Sequence, residues 1–416
     1  MENKKSSIVA VALITAICLA GDSMLYIVLP THWKEVGLVS LVEVGILLSI
    51  NRFVRLPLNP IIGLFYSRVN FRSGILLAVL LSGITTLGYG FAEKFELWVV
   101  LRCVWGFAWS LFKLGAFLLI LQLSTDSNRG KFMGTYNGLY RLGSLLGMLL
   151  GGFLADIYGM KVISLFLGTI AFLSIPLIYK YLPTTIHTVA LQIHKHKGSS
   201  SFKNGYSDIL WMLGTAFLTV MILEGMFNAM LSHIINIQIA EESATYFFIG
   251  AASLAGILQA VRWGSLPFLT PRVGSLVDKS KMKPFVLFVF MIMATLSLLI
   301  ISLDIPLLIW LPFLIVHLLI SSSVTTIVDT MVSELASKMS NQVKIMTVFT
   351  IIADLGAALG PILGYTFEQL FGIRNVLVVC AIIILFLSIR WLLLGKFNKH
   401  SSFLNQKNHS IALDRN

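Results

Sequence analysis

Long apolar runs separated by short polar stretches dominate the chain. They predict helices spanning a membrane near residues 7–30, 41–66, 74–91, 97–121, 132–155 and 162–181, then 209–231, 243–272, 284–302, 307–330, 345–368 and 375–395. A helix needs about 20 apolar residues to cross a bilayer, and these twelve runs are of that order. Between the sixth and seventh runs lies a polar stretch with Pro183, His187, His194, Lys195, His196, Lys197 and Gly198-Ser199-Ser200-Ser201, a composition that builds no core. The expected organisation is a six-helix bundle over 1–181, a cytoplasmic linker over 182–208, a second six-helix bundle over 209–396 and a cytoplasmic tail over 397–416. The linker histidines have no acid or cysteine beside them, which favours a solvated basic linker over a metal site.

Composition agrees with the pattern. Of 416 residues 57% are hydrophobic and 12% charged, and the mean hydropathy is +0.87. Soluble chains carry about 25% charged residues, so a soluble enzyme, a DNA-binding module and a disordered chain are excluded. Cys18, Cys103 and Cys380 all sit inside apolar runs, leaving no disulfide framework or zinc cluster. The start, Met1 to Lys5, leads into an apolar run without a small-residue cleavage site, so it reads as a retained span and not a signal peptide.

The net charge of +12 is informative through its placement. With the N-terminus inside, the cytoplasmic segments hold 21 of the 31 basic residues, while the outer loops hold only Lys34, Lys94, Lys161 and Arg374. Such a bias predicts a multi-pass protein of the plasma (cell inner) membrane with both termini cytoplasmic. The surplus then faces anionic lipid headgroups, and no nucleic-acid partner is implied.

An internal repeat follows. Gly63, Ser67, Arg68, Asn70 and Arg72 after the second span match Gly274, Asp278, Lys279, Lys281 and Lys283 after the eighth at an offset of 211, and Pro60 matches Pro271. Gly143, Gly147 and Gly151 in the fifth span match Gly356, Gly360 and Gly364 in the eleventh at an offset of 213. Two motifs agreeing on nearly one offset indicate duplicated halves. Repeated halves around a midplane site are the architecture of secondary transporters.

At these residues the chain resembles the major facilitator superfamily over its whole length, and most of all the twelve-span drug/proton antiporter branch. The resemblance implies an all-α polytopic membrane protein with twelve transmembrane helices in two pseudo-symmetric six-helix bundles. That family's loop after helix 2 reads Gly-x-x-x-Asp-(Arg/Lys)-x-Gly-Arg-(Arg/Lys). The first copy here keeps Gly63, Arg68 and Arg72 but has Ser67 for the acid and Asn70 for the second glycine. The second copy keeps Gly274, Asp278, Lys279 and Lys283. By resemblance these loops brace a cytoplasmic gate; positive-inside charge alone accounts for the basic residues but not for the glycine spacing. Arg102-Cys103-Val104-Trp105-Gly106 is similar to the family's Arg-x-x-Gln-Gly stretch, whose arginine is implicated in proton coupling. Gly143, Gly147, Gly151 and Gly152 are similar to the antiporter pattern in helix 5, with Met148 in place of its proline, whereas the second copy has Gly360-Pro361. Tight helix packing explains those glycines equally well. The resemblance also implies that helix 2 packs on helix 11 and helix 5 on helix 8.

Six cations lie within predicted spans: Arg52, Arg55, Arg102, Lys113, Arg141 and Arg262. A charge at midplane costs ~2.5 kcal/mol or more, so such residues face water or a partner. Asn51, Arg52, Arg55 and Asn59 share one helical stripe, and Lys113 follows Arg102 by eleven residues on nearly the same face. Asp22 and Arg102 stand at similar depths below the outer surface, so an ion pair between them is feasible and would act as a proton switch. The competing reading is a structural pair that never titrates. Glu224 and Asp354 are the principal acids of the second half, and Asp354 occupies the repeat position of Arg141. Arg52 or Arg55 is expected to pair with Asp354 in one access state. Glu334, near His317 and Asp329, is expected to be solvated at the cytoplasmic end. Tyr26, Trp105, Trp109, Phe112, Tyr140 and Phe227 are candidate apolar walls, or packing residues.

Six buried cations against three acids favour an anionic or zwitterionic cargo, because exporters of cationic drugs need the reverse excess. The leading expectation is a monomeric, proton-coupled exporter of a small organic (anionic, zwitterionic or drug-like) molecule, working by alternating access without a cofactor or metal. The alternative is an uptake symporter for an organic anion. From other classes, an intramembrane enzyme using Asp22 or Asp354 as catalytic acid and a non-transporting scaffold are weaker readings. The chain has no phosphate-binding loop and no hydrolase motif.

Overall fold

The computed structural model describes residues 2–125, 129–183, 205–241, 250–280, 282–337 and 342–413. His187, His194 and His196 of the expected linker lie outside the described residues. Helices make up almost all of the described chain. They are α1 (Glu2–Ser23), α2 (Leu25–His32), α3 (Leu41–Arg68), α4 (Phe71–Tyr89), α5 (Phe95–Leu123), α6 (Arg129–Leu173) and α7 (Ile175–Tyr181). Beyond the linker come α8 (Gly205–Thr219), a π-helical stretch (Val220–Met226), α9 (Phe227–Glu241), α10 (Ala251–Lys279), α11 (Lys283–Ile301), α12 (Leu307–Ser337), α13 (Gln342–Phe371) and α14 (Ile373–Leu413). The last helix runs on through most of the residues read as a tail.

Among the described residues nine helical stretches are long and apolar enough to cross a membrane. One of these, Lys131–Tyr181, contains two crossings, because the chain turns at Gly159 with φ 78° and ψ 166°. That backbone region is essentially open only to glycine. The helices α3 and α10 are long enough as well but carry Arg52, Arg55 and Arg262 within them. These additions account for the twelve spans.

The repeat persists in the backbone. Both α4 and α11 are 19 residues long and start 212 residues apart, as do α5 and α12. Gly372, which turns the chain between α13 and α14 at φ 78°, lies 213 residues after Gly159. The protein is thus an all-helical, multi-pass membrane protein built on duplicated six-span halves.

By compactness the chain forms two units. The first comprises Met1–His196, Met221–Gly264 and Asp354–Leu370. Its framework is α1 lying along the first half of α6. Gly143 and Gly147 stand so close to α1 that a Cβ on either would fall on the carbonyl of Ala16 or Ala20, and one on Gly151 would meet Met24. Small residues at every fourth position let the two backbones touch. Leu142, Leu146 and Leu150 on another face of the same helix are exposed, as a lipid-facing surface requires. Tyr89 and Trp98 stack with centroids 5.1 Å apart and join α4 to α5.

The second unit comprises Lys197–Val220, Ser265–Ala353 and Phe371–Asn416. There α11 packs on α12 and α14, and α8 packs on α12. Buried polar groups find partners across these seams: Ser297 bonds His317 Nδ1 at 2.8 Å, and Trp391 Nε1 donates to Thr215 Oγ1 at 3.0 Å. Glu334, expected to be solvated, accepts from Lys283 Nζ at 2.5 Å and is only half-buried. The lysine opens α11 close to the end of α12, which brings the two charges together.

Candidate functional site

The first unit contains a half-open cavity of about 370 Å³. Asn51, Arg52, Arg55, Lys113, Arg141 and Arg262 all line it, together with Asp22, Glu224 and Asp354. The sequence stripe on α3 therefore turns its cations into a cavity and not toward lipid, where their cost would be uncompensated.

Arg102 is the exception to this lining set. It is fully enclosed behind the cavity wall, donates from Nε to the Leu47 carbonyl at 2.8 Å and forms an ion pair through Nη1 with Asp22 Oδ1. Asp22 itself reaches the cavity. The carboxylate thus stands between the arginine and the water-accessible space. Span 1 breaks beside it, where α1 ends at Ser23 and α2 begins at Leu25.

A second network comes from span 7 and α10. Arg262 forms an ion pair through Nη2 with Glu224 and donates from Nη1 to Asn228 Oδ1 at 2.8 Å. Gln259 Nε2 donates to the same oxygen at 3.1 Å, and Asn228 Nδ2 donates to Glu224 Oε2 at 3.0 Å. Glu224 projects from the π-helical stretch, an irregularity that is frequent at functional sites. Gly225 in that stretch packs against Ala357 and Gly360 of α13, where a Cβ on Gly360 would strike the backbone of Met226 and Met221.

Arg52 Nε donates to the hydroxyl of Tyr26 at 3.3 Å, and Arg55 Nε donates to the Asn51 carbonyl at 3.1 Å. Asp354 shares their cavity, yet among the described residues no ion pair within 4.0 Å joins it to either arginine. Arg141 is exposed and its guanidinium lies 5.8 Å from the Trp263 ring centre, with Arg262 at 5.4 Å from the same ring. The negative face of an aromatic ring attracts a guanidinium placed over it. Tyr26, Trp105, Trp109 and Tyr140 supply further aromatic lining, with Trp109 and Tyr140 edge-to-face at 5.7 Å. Phe112 and Phe227, candidate walls by sequence, are instead buried away from the cavity in helix packing.

Helix ends of the first unit close together beyond the cavity, on the side where α2 ends. Asp156 Oδ2 accepts from the Ser253 backbone N–H at 2.7 Å and its hydroxyl at 2.6 Å, and His32 Nε2 stands 3.9 Å from Asp156 Oδ1. His233 Nε2 lies 2.9 Å from Glu368 Oε1. A Cβ on Gly45 would lie 2.7 Å from the Pro361 carbonyl, and one on Gly256 would lie 2.6 Å from that of Met148. Thus α3 meets α13, and the first half of α6 meets α10. None of these carboxylates was singled out by sequence. A signal existed: Asp156 and Glu368 are 212 residues apart, the repeat spacing.

The loop motifs are placed more loosely. Gly63, Arg68, Asp278 and Lys279 are exposed, and Gly274 has open space around it. Arg72 is tied down, donating from Nε to the Leu182 carbonyl at 3.1 Å and lying over Tyr179 at 5.8 Å. In α13, Gly356 is buried and Gly364 faces Met230 and Met226. Among the described residues no group of three or more His, Cys, Asp or Glu side chains is placed to hold a metal ion.

Comparison with known proteins fits this geometry. Solved structures with the same fold include a bacterial homologue of the human lysosomal transporter Spinster in its inward-facing, unoccupied form. It has 13% identity and a TM-score of 0.74, with 95% of this chain and 97% of that one covered. The occupied form of that homologue gives 15% identity and a TM-score of 0.73 over 94% and 96%. The nucleoside transporter NupG gives 12% identity and a TM-score of 0.72 over 94% and 98%. A search of curated proteins found no match. Residues 11–339 match the Major Facilitator Superfamily, so a sequence match over most of the chain, the twelve-span helical fold and the charged cavity lead to one conclusion: the chain belongs to that superfamily of secondary transporters.

Proposed function

We propose that this protein is a proton-coupled carrier of small organic anions that works by alternating access in the cell membrane, with both termini cytoplasmic. The observation that carries the reading is the Asp22–Arg102 pair, in which the guanidinium is enclosed and the carboxylate it holds borders the cavity. A proton on Asp22 releases Arg102 to meet an anion. An anion on Arg102 releases Asp22 to take a proton. The two ligands therefore bind cooperatively through one switch. The Glu224–Arg262 pair is a second ion pair at the same cavity, but there both partners line the space.

Cooperative binding has a consequence for direction. Export by proton antiport requires proton and cargo to compete for the carrier, as they do when the cargo is a cation. With an anion they reinforce one another, which supports symport, and an inward proton gradient then drives uptake. The charge geometry accordingly gives uptake symport more support than the export expected from the antiporter-like motifs. The contacts of Asp156, Ser253, His32, His233 and Glu368 support a gate on the outer side, closed in this structure.

The test is accumulation of labelled phenyl phosphate and benzenesulfonate in proteoliposomes under an imposed pH gradient, with wild type and Asp22→Asn side by side. An acidic exterior should drive accumulation in wild type and leave the variant with gradient-independent exchange. Accumulation driven by an acidic interior would support antiport. Failure of every anion, with lipophilic cations transported instead, would refute the reading.

A further inference from the structure

The cavity carries more positive charge than a monoanion can offset, and its cations are concentrated on one wall. The two helices of that wall, α3 and α5, run in fixed register: Arg102 Nε donates to the Leu47 carbonyl, and a Cβ on Gly106 would lie 2.7 Å from the Asn51 carbonyl. Both contacts join residues 55 apart, so Lys113 stands level with position 58 of α3. Arg52, Arg55 and Lys113 thus fall within about 9 Å along the helix axes, and all three reach the cavity. In this structure, with Asp22 and Glu224 engaged, Arg102 and Arg262 are each held in an ion pair; of the other lining cations Arg141 is exposed, whereas Arg52, Arg55 and Lys113 are half-buried. Among the described lining residues Asp354 is the acid that remains to offset the three, which leaves a surplus of two positive charges on half-buried groups.

On this basis, and resting on the organic-anion reading above, we infer that the cargo carries a compact dianionic head on a flat organic body, the chemistry of an aromatic phosphate monoester. A phosphate monoester carries close to two negative charges above its second pKa near ~6 and offers three acceptor oxygens. Arginine forks match those oxygens bidentately while lysine meets them as a point charge. The flat body is indicated by Trp109, Tyr140 and Trp263, whose rings stand in the lining around the same space. A cavity of about 370 Å³ suits a molecule of one or two rings.

The probes are phenyl phosphate, benzenesulfonate, inorganic phosphate and decyl phosphate, titrated against the purified full-length chain in detergent at pH 8. Phenyl phosphate and benzenesulfonate share a ring and a tetrahedral head and differ by one charge. Phenyl phosphate should bind about tenfold or more tightly than benzenesulfonate, the effect of one further charge-assisted contact. It should also bind more tightly than inorganic phosphate, which lacks the ring. Lys113→Met should bring the phenyl phosphate to benzenesulfonate ratio close to one, and Lys113→Arg should restore it. The wild-type comparison stands without either variant.

Equal binding of phenyl phosphate and benzenesulfonate, with proton-coupled transport of both, would overturn the dianion and leave the organic-anion carrier intact. Equal binding of inorganic phosphate would overturn the organic body. Tighter binding of decyl phosphate would overturn the flat ring and indicate a lipid phosphate. If no anion binds, both proposals fall.

Discussion

Removing the charge of Asp22 tests the switch through stability as well as transport. Arg102 is completely buried and Asp22 is 5% exposed, but only Asp22 borders the cavity. The two single substitutions should therefore be unequal. Asp22→Asn leaves a guanidinium sealed in the bundle with neutral partners, the Leu47 carbonyl and the Tyr89 hydroxyl among them. Breaking a buried pair in this way costs about 3–5 kcal/mol. Arg102→Met leaves a carboxylate that can draw on cavity water, so about 1–3 kcal/mol is expected, the range for an imperfectly satisfied buried polar group. The double variant, with neither charge present, should cost less than the sum by about 2–3 kcal/mol, within the range of coupling between groups in direct contact. The assay is reversible unfolding in mixed micelles for wild type, both single variants and the double variant. Additive losses, or equal losses in the two single variants, would refute the claim that a cavity-bordering carboxylate is coupled to an enclosed arginine.

Two further outcomes follow from packing. In α6, a Cβ on Gly143 would fall on the Ala16 carbonyl, whereas Gly134 has nothing within 4 Å. Gly134→Ala should stabilise by up to about 1 kcal/mol through helix propensity, and Gly143→Ala should destabilise by about 1–3 kcal/mol through overpacking. Thermal melts of the two variants in the same detergent compare them directly, and a stable Gly143→Ala would contradict the close approach of α1. Asp156→Ala removes two hydrogen bonds to Ser253, worth about 1 kcal/mol each. The carrier should shift toward its outward-open state by roughly tenfold or more, read as faster alkylation from outside of a cysteine placed at Met148. An unchanged rate would remove Asp156 from the gate.

Much of the architecture was legible in the chain because membrane spans are long apolar runs and because the halves repeat. The offset near 212 seen in the loop and glycine motifs returned in the helix starts and in the turns at Gly159 and Gly372. The Asp22–Arg102 contact was legible through depth alone, since both residues count a known rise from the outer end of their helices. Depth does not specify which way a helix faces a neighbour far away in sequence. For that reason the partner of Glu224 was missed, although Arg262 had been marked as a buried cation, and so were Asn228, Gln259 and Trp263. Rotation about the helix also separates Phe112 and Phe227, packed in the interior, from Trp105 and Trp109, which reach the cavity. The Asp156 and Glu368 contacts lay near span ends, where charge has an easy explanation as a solvated terminus; only their repeat spacing set them apart.

The central claim is that proton and anion move together through the Asp22 switch. It is tested most directly by loading proteoliposomes with a lumenal pH indicator and adding phenyl phosphate outside, with no pH gradient imposed. Wild type should acidify the lumen as anion enters, and Asp22→Asn should admit anion without that acidification. Anion entry in wild type with no change of lumenal pH, or with alkalinisation, would contradict the account.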